Sequence, residues 1–283
     1  MDGIIVINKE KNYTSHDVVA KLKKKLNISK VGHTGTLDPN ATGVLPILIG
    51  KGTKFSKYLI NHDKMYEVEL ELGKKTDTAD IEGKIIEEKS VDEDFIKQNL
   101  KQILNNFIGK QEQVPPMYSA IKKNGKKLYE YARAGAKVEV EPRKIEIYNI
   151  KLIEYDTNTV RFVVSCSKGT YIRSLCEDIA EKLNTVGYMK NLKRLQVGEF
   201  NIKDSVYIDD VNLENINNYL ITLEDLLKET PEFNLNAKKL NLFLNGVQLT
   251  VKNGNGLYKV YVANKFIGTG TIKNGVLKRD IIL

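Results

Sequence analysis

GHTGTLDPNATGVLP, residues 32–46, constrains the rest of the chain more than any other stretch, with three glycines, two prolines and one carboxylate, that of Asp38. Glycine allows unusual backbone angles, and proline fixes its own φ and restricts the residue before it, so this stretch is predicted to be a stiff loop. The apolar run Val44–Ile49 that follows is predicted to enter a core. The loop therefore suits a preorganised reactive carboxylate, although an Asx-turn or a helix cap is the simpler alternative for Asp38.

The composition indicates a globular protein with an anionic partner. The chain has 283 residues, 41% of them hydrophobic, so it can bury a sizeable core in one large domain or two. Its start lacks the basic and apolar regions of a signal peptide, no apolar run approaches membrane-spanning length, and Cys166 and Cys176 have no zinc or disulfide spacing. We therefore expect a cytoplasmic protein with no membrane association.

Positive charge is concentrated near the end of the chain. The whole chain carries a formal charge of +8, and residues 232–283 hold eight Lys or Arg against two acidic residues, a net charge of +6. The preceding segment, residues 203–229, has two lysines and seven acidic residues, a net charge of −5. A basic block behind an acidic connector indicates an accessory module that binds a polyanion such as RNA.

Hydrophobic periodicity predicts the main elements. Strict alternation indicates a strand at Tyr66–Leu72, and apolar spacing indicates helices from Thr14 or Ser15 to Leu26 and over Asp92–Ile108. Further elements are a strand at Gly3–Ile7, paired strands at Lys144–Tyr155 and Val160–Cys166, and a helix capped by Thr170. From about Pro231 onward, short strands and turns predominate.

The loop at residues 32–46 resembles the active-site loop of the TruB family of tRNA pseudouridine-55 synthases, whose signature is close to GHxGxLDPxAxGxLP. Every fixed position is present, and the resemblance is nearly continuous from Ile4 to about Val197. The departure lies in one turn, where Glu10 and Asn12 replace the usual Pro and Gly of the family.

This resemblance implies an α+β fold with a mixed, mainly antiparallel central sheet flanked by helices. It implies a catalytic domain over residues 1–230, with a thumb inserted at about residues 118–143. The C-terminal match is weaker in motifs, and it implies a small PUA-like RNA-binding β-domain over residues 231–283.

Three side chains are implied to perform the chemistry. Asp38 would be the nucleophile. Tyr66, which the pattern alone reads as a core tyrosine, would stack on the uracil and help to remove its C5 proton. Arg173 lies in a first helical turn, where a cation is disfavoured unless an anion faces it. That anion could be Glu177 one turn on, but the resemblance favours Asp38.

The remaining expected contacts are with RNA. By resemblance His33 would insert into the RNA loop, Leu192 and Tyr171 would line the uridine pocket, and Asp80 would lie near it. Lys54 would contact a phosphate or is a plain surface lysine. The thumb would grip the RNA backbone, unless it is only a solvated hairpin, with the residues Lys122, Lys123, Lys126, Lys127 and Arg133.

We therefore expect an isomerase that converts uridine to pseudouridine at position 55 in the T-loop of tRNAs, by base flipping and covalent catalysis. The reaction needs no redox change, so no cofactor and no metal are expected, and a monomer without an obligatory protein partner is the default. The alternative is a non-catalytic tRNA-binding or RNA-folding protein on the same scaffold. An RNA methyltransferase would need a cysteine nucleophile and a methyl-donor site, and a glycoside hydrolase would need two carboxylates where this loop offers one.

Overall fold

The computed structural model of the chain describes residues 1–60, 62–136 and 138–283. Its strands are β1 (Gly3–Lys9), β2 (Val31–His33), β3 (Thr42–Ile49), β4 (Lys64–Leu72), β5 (Lys74–Thr76), β6 (Ile85–Glu88), β7 (Gly109–Gln113), β8 (Lys122–Lys123), β9 (Lys126–Lys127), β10 (Arg143–Asp156), β11 (Thr159–Cys166), β12 (Gly187–Val197), β13 (Phe200–Asn201), β14 (Glu232–Asn234), β15 (Leu249–Thr250), β16 (Gly256–Val262), β17 (Lys265–Lys273) and β18 (Val276–Ile282). Its α-helices are α1 (Ser15–Leu26), α2 (Ser56–Leu59), α3 (Glu93–Asn106), α4 (Leu128–Arg133), α5 (Ile172–Lys182) and α6 (Leu240–Leu244). Short 3₁₀ helices cover Gly50–Phe55, Ile202–Asp204, Ile208–Asp210, Ile216–Asn218, Asp225–Leu227 and Ala237–Lys239.

The larger sheet runs in the order β1-β3-β12-β4-β11-β10-β7, with β2 beside β3 and β13 beside β12. Its pairings are antiparallel except between β3 and β12, which run parallel where Thr42 faces Lys193 and Gly43 faces Arg194. The predicted mixed, mainly antiparallel sheet of an α+β protein is therefore confirmed. The parallel pairing brings the end of the Asp38 loop directly beside β12.

The strands β1 and β3 are apolar over most of their length, at Ile4–Ile7 and Val44–Ile49, because both of their faces are covered. Ile5 and Leu45 pack on α1 on one face, while Ile4 and Val44 pack against Phe200 and its neighbours on the other. The predicted first helix begins after Thr14, whose side chain accepts from the backbone N–H of Asp17 while Asp17 accepts from Thr14 in return. Such a capping box satisfies backbone donors that the first helical turn leaves free.

The largest core lies between the sheet and helices α3 and α5. The alternating strand β4 contributes Val68, Leu70 and Leu72 to it, and α3 contributes Ile96 and its neighbours. The helix α3 begins after Asp92, close to the predicted bounds. The predicted cap at Thr170 is wrong: α5 starts one residue later, after Tyr171, since the Thr170 hydroxyl donates back to the Ser167 carbonyl at 2.9 Å instead.

A second, smaller sheet contains only strands from the end of the chain, in the order β14-β16-β17-β18-β15. Its own core includes Phe243, Val260 and Leu277. A further cluster joins it to the rest of the chain, where Phe55 and Leu227 contact Ile281. None of the helices in the described residues has the length and apolar character that crossing a membrane requires.

Candidate active site

The loop that carries Asp38 connects β2 to β3 and is anchored by contacts with α1. The Leu37 side chain is buried against α1, and its backbone N–H donates to the Ser15 hydroxyl at 2.9 Å. The Asp38 carbonyl accepts from the Ala41 N–H at 3.1 Å, which closes a tight turn. The side chain of Asp38 remains 39% exposed, so the loop offers its carboxylate at the surface of a fixed support.

Two buried cations hold this loop. Lys9 donates to the carbonyls of Pro39 at 3.0 Å and Tyr13 at 2.7 Å. Arg194 donates through Nε to the carbonyl of Val44 at 2.7 Å, and through its other nitrogens to the carbonyls of Gly35 and Thr36. Both side chains belong to residues only 1% exposed.

Burial lowers the pKa of Lys9 to about 8, and the negative charge of Asp38 partly offsets this lowering.

Close packing against Arg194 requires the glycine at position 43. Gly43 has a φ of +101°, and a Cβ there would lie 2.2 Å from the Arg194 carbonyl oxygen.

Arg173 connects two carboxylates. Its Nη2 lies 3.3 Å from Asp38 Oδ2, and its Nη1 lies 3.3 Å from Asp80 Oδ2. It also donates to the carbonyl of Tyr118 at 2.9 Å, at the base of the predicted thumb. The other candidate partner, Glu177, is instead 3.2 Å from Lys75. The predicted Asp38–Arg173 pair is therefore present, and it is part of a larger network.

Asp80 is the most enclosed carboxylate of this network. It is 8% exposed, and its Oδ1 accepts from the Thr78 hydroxyl at 2.6 Å and from the Glu82 N–H at 3.1 Å. Its loop is joined to β12 because the Met189 N–H donates to the Ala79 carbonyl at 3.0 Å. Asp80 therefore holds Nη1 of Arg173, whereas Asp38 faces Nη2.

Tyr66 is 7% exposed in β4, opposite Val164 of β11 and Arg194 of β12. Burial raises the pKa of the Tyr66 phenol, and the positive charge of Arg194, which interacts with its hydroxyl, opposes that rise. At neutral pH the phenol is therefore protonated and uncharged, and the nearby negative charge of Asp38 contributes to raising its pKa.

A small depression adjoins Asp38 and is lined by Asp80, Met189 and Leu192 among others. A β-bulge in β12 after Met189 inserts one extra residue, so that Met189 and Leu192 both face this depression although they are an odd number of positions apart. The enclosed space holds about one water molecule. Asn40 Nδ2 donates to Glu82 Oε1 at 2.8 Å and thereby joins the Asp38 loop to the Asp80 loop across the depression.

Three predicted contacts lie outside this group. His33, at the end of β2, packs edge-to-face on His16 with ring centroids 5.4 Å apart. Tyr171 exchanges two backbone hydrogen bonds with the Gln113 side chain, at 2.8 and 3.1 Å, and does not line the depression. Lys54 donates to the Ile282 carbonyl, at the junction with the smaller sheet and away from Asp38.

The predicted thumb is a short hairpin, β8 and β9, followed by α4. Lys122 and Lys126 are exposed on the hairpin, while Lys123 donates to the Glu139 carbonyl. Lys127 and Arg133 both lie over the ring of Tyr129, at 5.3 and 5.4 Å from its centroid. Two of the basic groups of this segment, Lys127 and Arg133, therefore share one aromatic ring, and two others, Lys122 and Lys126, are exposed.

Sequence reasoning assigned no role to Arg194, Lys9, Asn40 or Glu82. A signal for Arg194 was present, since it lies two residues beyond Leu192 in a strand and so on the same inward face. No sequence feature indicated a role for Lys9 or for the Asn40–Glu82 pair. Over residues 1–60, 62–136 and 138–283, no group of acidic, histidine or cysteine side chains is arranged to hold a metal ion.

A mixed sheet that presents Asp38 beside Arg173, with a buried tyrosine in a neighbouring strand, is the arrangement expected above for the pseudouridine synthases. The family model of the TruB pseudouridylate synthase N-terminal domain matches residues 23–172. The model of the tRNA pseudouridylate synthase B C-terminal domain matches residues 173–232, which precede nearly all of the smaller sheet.

Curated relatives match the sequence over nearly the whole chain. The tRNA pseudouridine synthase B of Clostridium kluyveri is 46% identical over 285 residues, which cover 97% of this chain and 96% of that protein. The enzyme of the same name from Aquifex aeolicus is 41% identical over 288 residues and all of both chains. The chain belongs to the TruB family of pseudouridylate synthases.

Solved structures share the fold at lower sequence identity. A chain in a Cbf5–Nop10–Gar1 complex superposes with a TM-score of 0.69 at 23% identity, covering 99% of this chain and 84% of that one. A chain of an H/ACA RNP bound to a substrate RNA containing 2′-deoxyuridine gives the same TM-score at 22% identity, covering 99% and 83%. These likenesses confirm the predicted pseudouridine synthase fold.

Proposed function

We propose that this enzyme converts uridine to pseudouridine at position 55, in the T-loop of tRNAs, with Asp38 as its nucleophile. Its relatives are named tRNA pseudouridine synthase B. The observation that carries the proposal is the position of Asp38, 3.3 Å from Arg173 on a loop held by two buried cations. A carboxylate held in this way is aimed before the substrate arrives.

The reaction breaks the bond between N1 of uracil and C1′ of ribose, turns the base, and forms a bond from C5 to C1′. One proton leaves C5 and one is gained at N1, so the reaction is neither an oxidation nor a reduction and requires no cofactor. Asp38 forms a transient covalent bond with the nucleoside, which divides the difficult exchange into easier steps. Arg173 stabilises the Asp38 carboxylate, Leu192 packs against the base, and Tyr66 stacks on it and assists removal of the C5 proton.

The uridine must leave its stack to reach Asp38, at a cost of a few kcal/mol. His33 would take the vacated space in the RNA loop. Phosphate contacts would come from the exposed thumb lysines, and from exposed basic residues of the C-terminal block, whose net charge is +6. Lys259 is not among them, because it is 6% exposed and pairs with Glu232. Binding that rests on such contacts weakens steeply with salt. We further propose that the chain forms two domains, that it acts as a monomer without an obligatory protein partner, and that it is located in the cytoplasm.

The test is release of tritium from tRNA transcript labelled at C5 of uracil, with wild type, Asp38→Asn and a control, Asp204→Asn, whose carboxylate is exposed far from Asp38 in sequence. We expect release by wild type and by the control, and a loss on the order of 10⁴-fold or more in Asp38→Asn with RNA binding retained. Release by Asp38→Asn at the wild-type rate would remove its role. RNA binding by all three proteins, with tritium release by none of them, would favour the non-catalytic alternative.

A further inference from the structure

Arg194 is the largest side chain of the described residues that is almost fully buried, with 1% exposure. It lies in β12 with Tyr66 of β4 opposite it on one side and Gly43 of β3 on the other. This is the place where the larger sheet changes from antiparallel to parallel pairing. The side chain therefore stands between the strand of Tyr66 and the end of the Asp38 loop.

The guanidinium of Arg194 contacts both neighbours at once. It donates to the carbonyls of Gly35 at 3.2 Å and Thr36 at 3.4 Å, two consecutive residues ahead of Leu37 and Asp38. Its Nε donates to the Val44 carbonyl at 2.7 Å, on the far side of the same loop. Tyr66 lies opposite Arg194 in the pairing of β4 and β12, and the Arg194 charge interacts with the Tyr66 hydroxyl. One planar group therefore spans the loop while its charge acts on the phenol.

A purely structural role would not favour a charge at this position. Moving a cation out of water costs several kcal/mol, and well-packed apolar side chains are often as stable or more so. Among the residues that the structure describes, no carboxylate lies within ion-pair distance of Arg194. The carboxylate that interacts favourably with it at longer range is that of Asp38.

We propose that Arg194 is a positioning residue that holds the Asp38 carboxylate and the Tyr66 phenol in fixed relation to each other. The inference rests on the proposed function, because it concerns how that same site is aligned. The planar fork of donors matters as well as the charge. A lysine at this position keeps the charge but cannot span the carbonyls of Gly35, Thr36 and Val44 from one rigid group.

The experiment compares Arg194→Lys and Arg194→Met with wild type and with Lys259→Met. Lys259 is a matched control, since it is a buried cation, 6% exposed, that pairs with Glu232 in the smaller sheet. Each protein is assayed for single-turnover pseudouridine formation at saturating enzyme, for the Kd of tRNA, and for urea unfolding.

We expect Arg194→Lys to remain folded, to bind tRNA within about twofold of wild type, and to react about 10- to 100-fold more slowly, because misplaced reacting groups cost rates of this order. Arg194→Met should be slower still, and Lys259→Met should change stability without changing the rate. A wild-type rate in folded Arg194→Lys, or a defect confined to tRNA affinity, would overturn the inference. An inactive wild type would instead overturn the proposed function.

Discussion

Replacing Asp80 with asparagine would test whether the second carboxylate of the network supports the first. Asp80 is enclosed, and its Oδ2 lies 3.3 Å from Nη1 of Arg173, whereas Asp38 faces Nη2. The asparagine would keep an oxygen for the Thr78 hydroxyl and the Glu82 N–H, and would lose the charge that faces Arg173. The substitution therefore isolates one charge-assisted contact without emptying the space.

The size of the effect follows from what remains around Arg173. Removing one partner of a fully buried ion pair costs about 3–5 kcal/mol, because the other charge is left uncompensated. Here Arg173 keeps Asp38 and the carbonyl of Tyr118, so we expect the smaller value of a lost hydrogen bond to a charged group, about 1.5–3 kcal/mol. If that loss is felt in the transition state, the rate falls by about 10- to 150-fold.

The assay is single-turnover pseudouridine formation at saturating enzyme, with the Kd of tRNA and the unfolding free energy measured on the same protein. Asp77→Asn is the control, since Asp77 is exposed on the same loop and its side chain accepts from the Lys84 N–H at 2.9 Å. We expect a slow step in Asp80→Asn with near-normal tRNA affinity, and a near-normal rate in Asp77→Asn. A rate for Asp80→Asn within twofold of wild type would refute this account of Arg173.

Two further predictions concern stability and access to the site. Burial raises the pKa of Asp178 to about 6, with help from Glu177 and Glu181, so the folded state binds this proton more tightly than the unfolded state and loses stability as pH rises from about 4 to 6. Asp178→Asn should therefore raise the free energy of unfolding by about 1–2 kcal/mol at pH 7.5, after allowance for solvent screening, and by nothing near pH 4; an equal gain at both pH values in urea titrations would contradict this. The Asn40–Glu82 bond closes a depression that holds about one water molecule, so a uracil bound beside Asp38, as proposed, requires the two loops to separate. Asn40→Ala and Glu82→Ala should each speed tRNA association about 2- to 10-fold in stopped-flow measurements, and the double variant should add nothing further.

The elements were predictable wherever one periodicity dominates. The alternation of Tyr66–Leu72 indicated a strand, and β4 contains it with Val68, Leu70 and Leu72 in the core. The start of the first helix was predictable because Thr14 and Asp17 form a capping pair that local chemistry alone explains. The start of α5 was not, since the Thr170 hydroxyl had a competing acceptor in the turn before it.

The bulge in β12 shows a second limit of periodicity. Alternation places Met189 and Leu192 on opposite faces of a regular strand, yet both border the depression beside Asp38. The extra residue that reverses the alternation is accommodated by pairing with β4, a strand more than a hundred residues away in sequence. Tertiary pairing decides this feature, so no local pattern could reveal it.

The residues that hold the Asp38 loop, Lys9 and Arg194, were not predicted from the sequence for a different reason. Motifs mark groups that carry charge or unusual backbone angles, and the partners of Lys9 and Arg194 are ordinary carbonyls that every residue possesses. Only the burial of the two cations distinguishes them from the many solvated lysines and arginines of this chain. A charged residue on the inward face of a strand, as Arg194 is two positions after Leu192, is therefore the sequence feature from which a role could have been predicted. Burial of such a charge without a carboxylate partner is costly and requires a compensating role.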